Sequence, residues 1–178
     1  MEKLPELQWL QDNCERIYYF GLGFIQVKID DYTRYNFYHP ELVPCFVNNE
    51  SVHTHSYDYK SYILKGELVE KLYAINPTIN SNRYFCKIDC CGGHEKLFKA
   101  RTIVSNEFIH KEGSNYCRFS DELHKVFVKE PTITKVVKGE RSGYAFSFIP
   151  DEQETCTPFI SDMSEEECWK VVEGILEC

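Results

Sequence analysis

Two periodicities divide the chain. Leu4, Leu7, Leu10 and Cys14 recur at helical spacing with Pro5 in the first turn, which predicts a helix over about residues 4–18. Gly21 and Gly23 break it. Beyond them come short aromatic and β-branched runs: Phe24–Ile29, Tyr35–Tyr38, Val52–Leu64, Glu67–Ile75, Arg83–Ile88, Leu97–Val104, Tyr116–Phe119, Lys125–Val128, Thr132–Val137 and Tyr144–Phe148. Each reads as a strand. Turn residues punctuate them at His39–Pro44, Gly66, Gly92-Gly93, Ser120–Glu122, Glu130-Pro131 and Lys138–Glu140. The helical period returns near the end, where Ser164 followed three residues later by Glu167 is a capping box. Val171, Val172, Ile175 and Leu176 give that predicted helix, about 164–177, an apolar face for the sheet. Many short strands at near-regular spacing predict a mainly β sandwich or barrel, formed over about residues 20–150 of a single domain spanning 1–178.

Composition narrows the function classes. With 43% hydrophobic and 15% aromatic residues the chain buries a core rather than remaining disordered. A formal charge of −8 argues against general nucleic-acid binding. No apolar run is long enough for a bilayer, so no membrane association is expected. The opening Met1–Glu6 lacks the apolar stretch of a signal peptide, and a reducing cytoplasm is the expected compartment. Most of the nine cysteines, Cys14, Cys45, Cys117, Cys156, Cys168 and Cys178 among them, then read as small hydrophobes. Cys86, Cys90, Cys91 and His94 cluster around a predicted hairpin tip. Their spacing differs from that of a zinc knuckle, and a turn with incidental thiols is the plainer reading.

The densest chemistry lies in His53-Thr54-His55-Ser56-Tyr57-Asp58-Tyr59. In a strand, residues two apart share a face, so His53, His55, Tyr57 and Tyr59 project together while Asp58 points away. Neutral imidazole is the commonest ligand for zinc, iron, copper and nickel, so two on one strand are half a metal site. Of the other histidines, His39 precedes a proline, His94 sits by the glycine turn, and His110 precedes Lys111-Glu112-Gly113 and reads as a loop residue. His124 follows a polar turn and opens an alternating strand, which makes it the third-ligand candidate. Tyr59 is a candidate hydrogen-bond donor beside the metal, or an aromatic core filler. Arg34, Arg83 and Arg101 are strand-associated cations able to grip an anionic ligand, or to pair with surface acids.

His53, His55 and Gly66, with Tyr59 where the motif H-x-H-x3–4-E-x6-G has glutamate, resemble the first motif of the cupins, and His124 resembles the histidine of the second. The proline-glycine signature usual before that histidine is missing. Three histidines without glutamate resemble the thiol dioxygenases. The stretch from Gly21 through Leu42 is also similar to small cupin-like proteins of bacteriophages. The resemblance implies a double-stranded β-helix (jelly-roll barrel) with flanking helices. It implies a divalent metal on His53, His55 and His124, Fe(II) first and Zn, Mn or Ni as alternatives. Tyr59 or Tyr62 would orient the substrate. The implied activity is that of an iron dioxygenase-like oxidoreductase acting on a small polar molecule or thiol. In the alternative, the barrel does no chemistry and captures a nucleotide-like ligand or a host protein, with Tyr32, Tyr35, Tyr38, Tyr57 and Tyr62 as stacking surfaces and the host cytoplasm as compartment. Exposed edges of such a barrel are compatible with a homodimer.

Overall fold

The computed structural model describes residues 2–20, 22–42, 52–88, 94–141, 143–150 and 163–178. Eleven strands and two helices follow in the order α1 (Leu7–Asn13), β1 (Arg16–Phe20), β2 (Phe24–Lys28), β3 (Thr33–Tyr38), β4 (Tyr57–Lys65), β5 (Glu67–Pro77), β6 (Arg83–Ile88), β7 (His94–Lys111), β8 (Asn115–Arg118), β9 (Leu123–Val128), β10 (Thr132–Arg141), β11 (Ala145–Pro150) and α2 (Glu165–Glu177). They form two antiparallel sheets. One contains six strands in the order β1-β2-β3-β10-β4-β8, and the other contains β11, β6, β7, β5 and β9. The expected barrel is therefore an open pair of facing sheets among the described residues, because no strand ladder closes one sheet onto the other.

Two of the corners that carry the chain between the sheets turn on glycine. β4 turns into β5 at Gly66 and β7 turns into β8 at Gly113, both with φ near +80° (77° and 80°), which a side chain disfavours. The corners lock together: Glu112 N–H donates to Gly66 O at 3.0 Å and Gly113 N–H to Ile63 O at 2.9 Å. An ideal Cβ at Gly66 would lie 2.6 Å from Pro131 O and 2.7 Å from Thr132 Oγ1, so the close approach of β10 also requires glycine there.

The six-stranded sheet has two different faces. Ile25, Val27, Tyr35, Phe37 and Ile133 pack outward against α1 and α2, where Leu10, Cys168, Val172 and Ile175 are buried. The opposite face, carrying Phe24, Tyr38 and Ile63, meets Leu68 of the second sheet. That inner face also buries Gln26, Asn36, Ser61 and Thr134, joined in part by hydrogen bonds from Gln26 Nε2 to Asn36 Oδ1 (3.2 Å) and Asn36 Nδ2 to Thr134 Oγ1 (3.4 Å). A polar lining between two sheets is costly in a dry core unless its groups are satisfied, and it is the surface a ligand-holding interior needs.

Several elements differ from expectation. The first helix stops at Asn13, and Arg16–Phe20 is strand β1, since Ile17-Tyr18-Tyr19 pairs with β2 across the Gly23 turn. β7 runs from His94 to Lys111, so His110 lies in a strand opposite Leu68 rather than in a loop. The C-terminal helix and its cap are as predicted: Ser164 Oγ accepts from Glu167 N–H, and the Glu167 carboxylate accepts from Ser164 N–H. Lys65 Nζ closes the other end of α2 by donating to Ile175 O at 2.8 Å, where a cation also suits the helix dipole. Cys90, Cys91 and the Gly92-Gly93 tip lie outside the described residues; Cys86 is buried on β6 and His94 opens β7.

Candidate metal centre

The histidine pair stands just ahead of β4 rather than within it. His53 forms isolated bridges to His124 and to Ser147, so its short segment is wedged between β9 and β11. His53 N–H donates to His124 O (3.1 Å) and His124 N–H to His53 O (3.0 Å). A residue pair exchanging both backbone hydrogen bonds lies directly opposite and projects its side chains to one face. Thr54 N–H donates to Phe146 O at 2.9 Å and holds the segment extended, so the two-residue alternation survives outside the formal strand. Val52 and Thr54 are buried on one side while His53, His55, Tyr57 and Tyr59 share the other.

The three histidines converge. One ligand nitrogen from each of His53, His55 and His124 lies within 4.8 Å of the others, and no other such group of three metal-binding side chains exists among the described residues. His55 Nε2 and His124 Nε2 are 3.0 Å apart. The Tyr59 hydroxyl is 3.5 Å from the same His124 nitrogen, and its ring meets that of His55 edge-on. Burial, followed by the neighbouring His53, His124, Arg34 and Lys138, holds the His55 pKa well below the ordinary histidine value, so this ring is neutral with a lone pair available. Burial drives the Tyr59 hydroxyl well above the usual phenol range, and it stays protonated.

The tautomer of His124 is set from behind. Its Nδ1 lies 2.9 Å from Glu70 Oε1, on the neighbouring strand β5, where Leu72 pairs with His124. Glu70 has 0% exposure. His110 Nε2 lies 2.9 Å from its Oε2, Arg118 Nε donates to Oε1 at 2.7 Å, and Arg118 Nη2 donates to Oε2. Burial alone would raise this carboxyl, but the hydrogen bonds from His110, His124 and Arg118 hold it well below the usual range. An ionised Glu70 accepts a hydrogen bond from His124 Nδ1–H, which leaves Nε2 free to face His55. This is the carboxylate–histidine arrangement that fixes ring orientation and raises ligand basicity in metal sites. Neither Glu70 nor Arg118 is a site candidate by sequence pattern, and His110 is expected in a loop. The available signal was an acid between Leu68 and Leu72, on the buried side of an alternating strand.

The other candidates separate. Arg34, on β3, reaches the site: its Nη1 donates to the Tyr57 hydroxyl at 2.9 Å, while its buried Nε has no hydrogen-bond partner among the described residues. Arg83 is placed away from the cluster. It adds to burial in depressing the amine of Lys125, which neighbours His124 and so points to the opposite face of β9. Arg101 donates to Asn80 O at 3.1 Å on the surface. Tyr62 alternates to the other face from Tyr59 and stacks under Lys60, whose Nζ is 4.9 Å from the ring centre. Asp58 is exposed and accepts from Ser120 N–H at 2.7 Å, in keeping with its odd offset from the histidines.

No protein-family model matches the chain, and no curated protein matches it. Among solved structures, the hydroquinone 1,2-dioxygenase of Sphingomonas sp. TTNP3 with bound 4-hydroxybenzoate has a TM-score of 0.39 at 7% identity, covering 80% of this chain and 84% of that one. Hydroquinone 1,2-dioxygenase PnpCD in complex with Cd2+ and 4-hydroxybenzonitrile has a TM-score of 0.36 at 10% identity, covering 66% and 64%. Similarity at this level carries no functional weight; the geometry of the site does.

Proposed function

We propose that the chain is a metal-dependent oxidoreductase of cupin type, with His53, His55 and His124 holding a ferrous ion. One observation carries this reading: three imidazoles from two segments distant in sequence bring their ligand atoms within 4.8 Å, on a face whose third histidine is oriented by a buried carboxylate. The donor set fits a divalent transition metal, since neutral imidazole suits iron, zinc and nickel, and three ligands leave coordination positions open. A ferrous ion bound there would supply dioxygen chemistry on a small chelating molecule, a thiol included. Glu70 keeps the Nδ1 proton of His124 in place. Tyr59, protonated and 3.5 Å from His124 Nε2, donates a hydrogen bond to the bound molecule and orients it. Arg34 holds an anionic group of that molecule, through a guanidinium whose Nε is unpartnered among the described residues. Lys138, whose amine lies 5.3 Å from the centre of the Tyr57 ring, adds positive charge on the same side.

Elemental analysis of the purified protein tests the reading, with His53→Ala and His124→Ala alongside. About one equivalent of iron, lost in both variants, is the expected result. Oxygen consumption with small thiols then follows. Full metal occupancy in His124→Ala would overturn the assignment. A wild type that takes up neither Fe(II) nor Zn(II) would leave a metal-free ligand-capturing fold.

A further inference from the structure

Among the described residues, the long strand β7 has an open side. From Ala100 to Lys111 it pairs with β5, while β6 pairs only with the stretch from His94 to Lys99. Along residues 101–111 no second described strand lies against it. Every residue from Ile103 to Ile109 is exposed, including Ile103 (52%), Val104 (48%), Phe108 (40%) and Ile109 (57%). Strand edges are ordinarily blunted by short length, lysine, proline or a covering element. The other sheet follows that practice: β8 has four residues and ends in Arg118, and α2 packs over β1. The β7 edge has neither proline nor lysine between Thr102 and His110, and its one acid, Glu107, is tied back to Lys71 at 3.0 Å. A register shift opposite Leu72 and Tyr73 leaves Ser105 unpaired and bends the strand near its middle, with paired stretches on either side.

We infer that this edge pairs with the same edge of a second copy of the chain, making an antiparallel homodimer through β7. The apolar pattern identifies the occupant. Ile103-Val104 and Phe108-Ile109 are symmetric about Asn106, with Ser105-Asn106-Glu107 between them. A two-fold axis near Asn106 sets Ile103-Val104 of one copy against Phe108-Ile109 of the other and crosses the polar residues at the centre. Self-complementarity is what a two-fold interface requires, and an unrelated partner strand would have no need of that symmetry. The metal-binding histidines are outside this edge, and the dimer is independent of the metal assignment.

Sedimentation velocity of the full chain over a range of concentrations tests it, together with Val104→Lys and Ile109→Lys. Both positions are exposed, so the substitutions leave the fold intact by circular dichroism. A wild-type dimer whose dissociation constant rises by about 30-fold or more in each variant is expected. Hydrogen exchange supplies the second reading: the amides of 101–111 that point away from β5 become faster-exchanging on dilution as the dimer separates. A protein monomeric at all concentrations overturns the proposal. So does a dimer unaffected by either lysine, which would use another face. Slow exchange, in a monomer, of the amides in 101–111 that point away from β5 also overturns it, since the edge would then be covered by the chain itself.

Discussion

His124 Nδ1 lies 2.9 Å from Oε1 of Glu70, a carboxylate without solvent exposure. That contact decides which imidazole nitrogen faces His55. Glu70→Gln keeps the shape but loses the charge that defines the tautomer. A drop in metal affinity of about 10–100-fold is expected, measured by chelator competition, the range found when such outer partners are removed. Glu70→Ala goes further, since it leaves Arg118 and His110 without their buried anion. It should destabilise the fold by about 3–5 kcal/mol in urea melts.

Two histidines touch Glu70, but only one belongs to the metal cluster. His110→Ala should retain metal stoichiometry with weakened affinity, because Arg118 still holds the carboxylate. His124→Ala should lose the metal. Elemental analysis of both variants separates a ligand from a support, and equal loss in the two would contradict this division.

Glu70 also predicts the acid limb of stability. Its folded pKa lies below its unfolded value, so its contribution is complete above about pH 4.3 and drains as pH falls from there toward the folded value. Unfolding midpoints taken from pH 5 downward, to roughly pH 2.5, should fall less steeply in Glu70→Gln than in the wild type. Parallel slopes would show that the carboxylate is not held ionised.

Lys138 has the opposite character. Burial first, then Arg34 and Lys28, push its amine down to about 8. Between that value and the unfolded lysine value of about 10.4, the unfolded chain binds more protons than the folded one, so stability rises with pH there. Lys138→Met should therefore be more stable than the wild type below pH 8, with the advantage shrinking as pH rises to about 10. Paired urea titrations at pH 7 and 10 check the sign.

Gly66 sits at the corner where β4 crosses to the second sheet. Alanine there meets Pro131 O and Thr132 Oγ1 inside contact distance and must also adopt a positive φ. A loss of about 1–3 kcal/mol is expected, read as a lowered thermal midpoint. Gly143 has open space around it, and Gly143→Ala should be close to neutral by the same measure.

Much of the site was legible because alternation is local. His53, His55 and Tyr59 share a face by their even spacing, and that holds although the first two residues precede the strand proper. The same rule sets Tyr62 on the other face, away from the histidines, since its offset from Tyr59 is odd. Arg34, Arg83 and Arg101 were indistinguishable in sequence, and the fold alone set Arg34 beside Tyr57. The first helix is shorter than its sequence predicts because Arg16–Phe20 continues an apolar pattern that a helix and a strand both accept. Pairing with β2 decided between them.

From sequence alone came the mainly β class, the capped C-terminal helix, the corner at Gly66 and a pair of histidines on one face. These depend on residues within a few positions of each other, where spacing dictates direction. Only the tertiary structure brought Glu70, His110, Arg118 and His124 together from β5, β7, β8 and β9, and only it left the edge of β7 open among the described residues. Such contacts depend on which strands pair and in what register, across separations of up to 54 residues between Glu70 and His124. Local periodicity carries no record of that pairing, because the same alternation is compatible with many partners until burial of both sheets selects one.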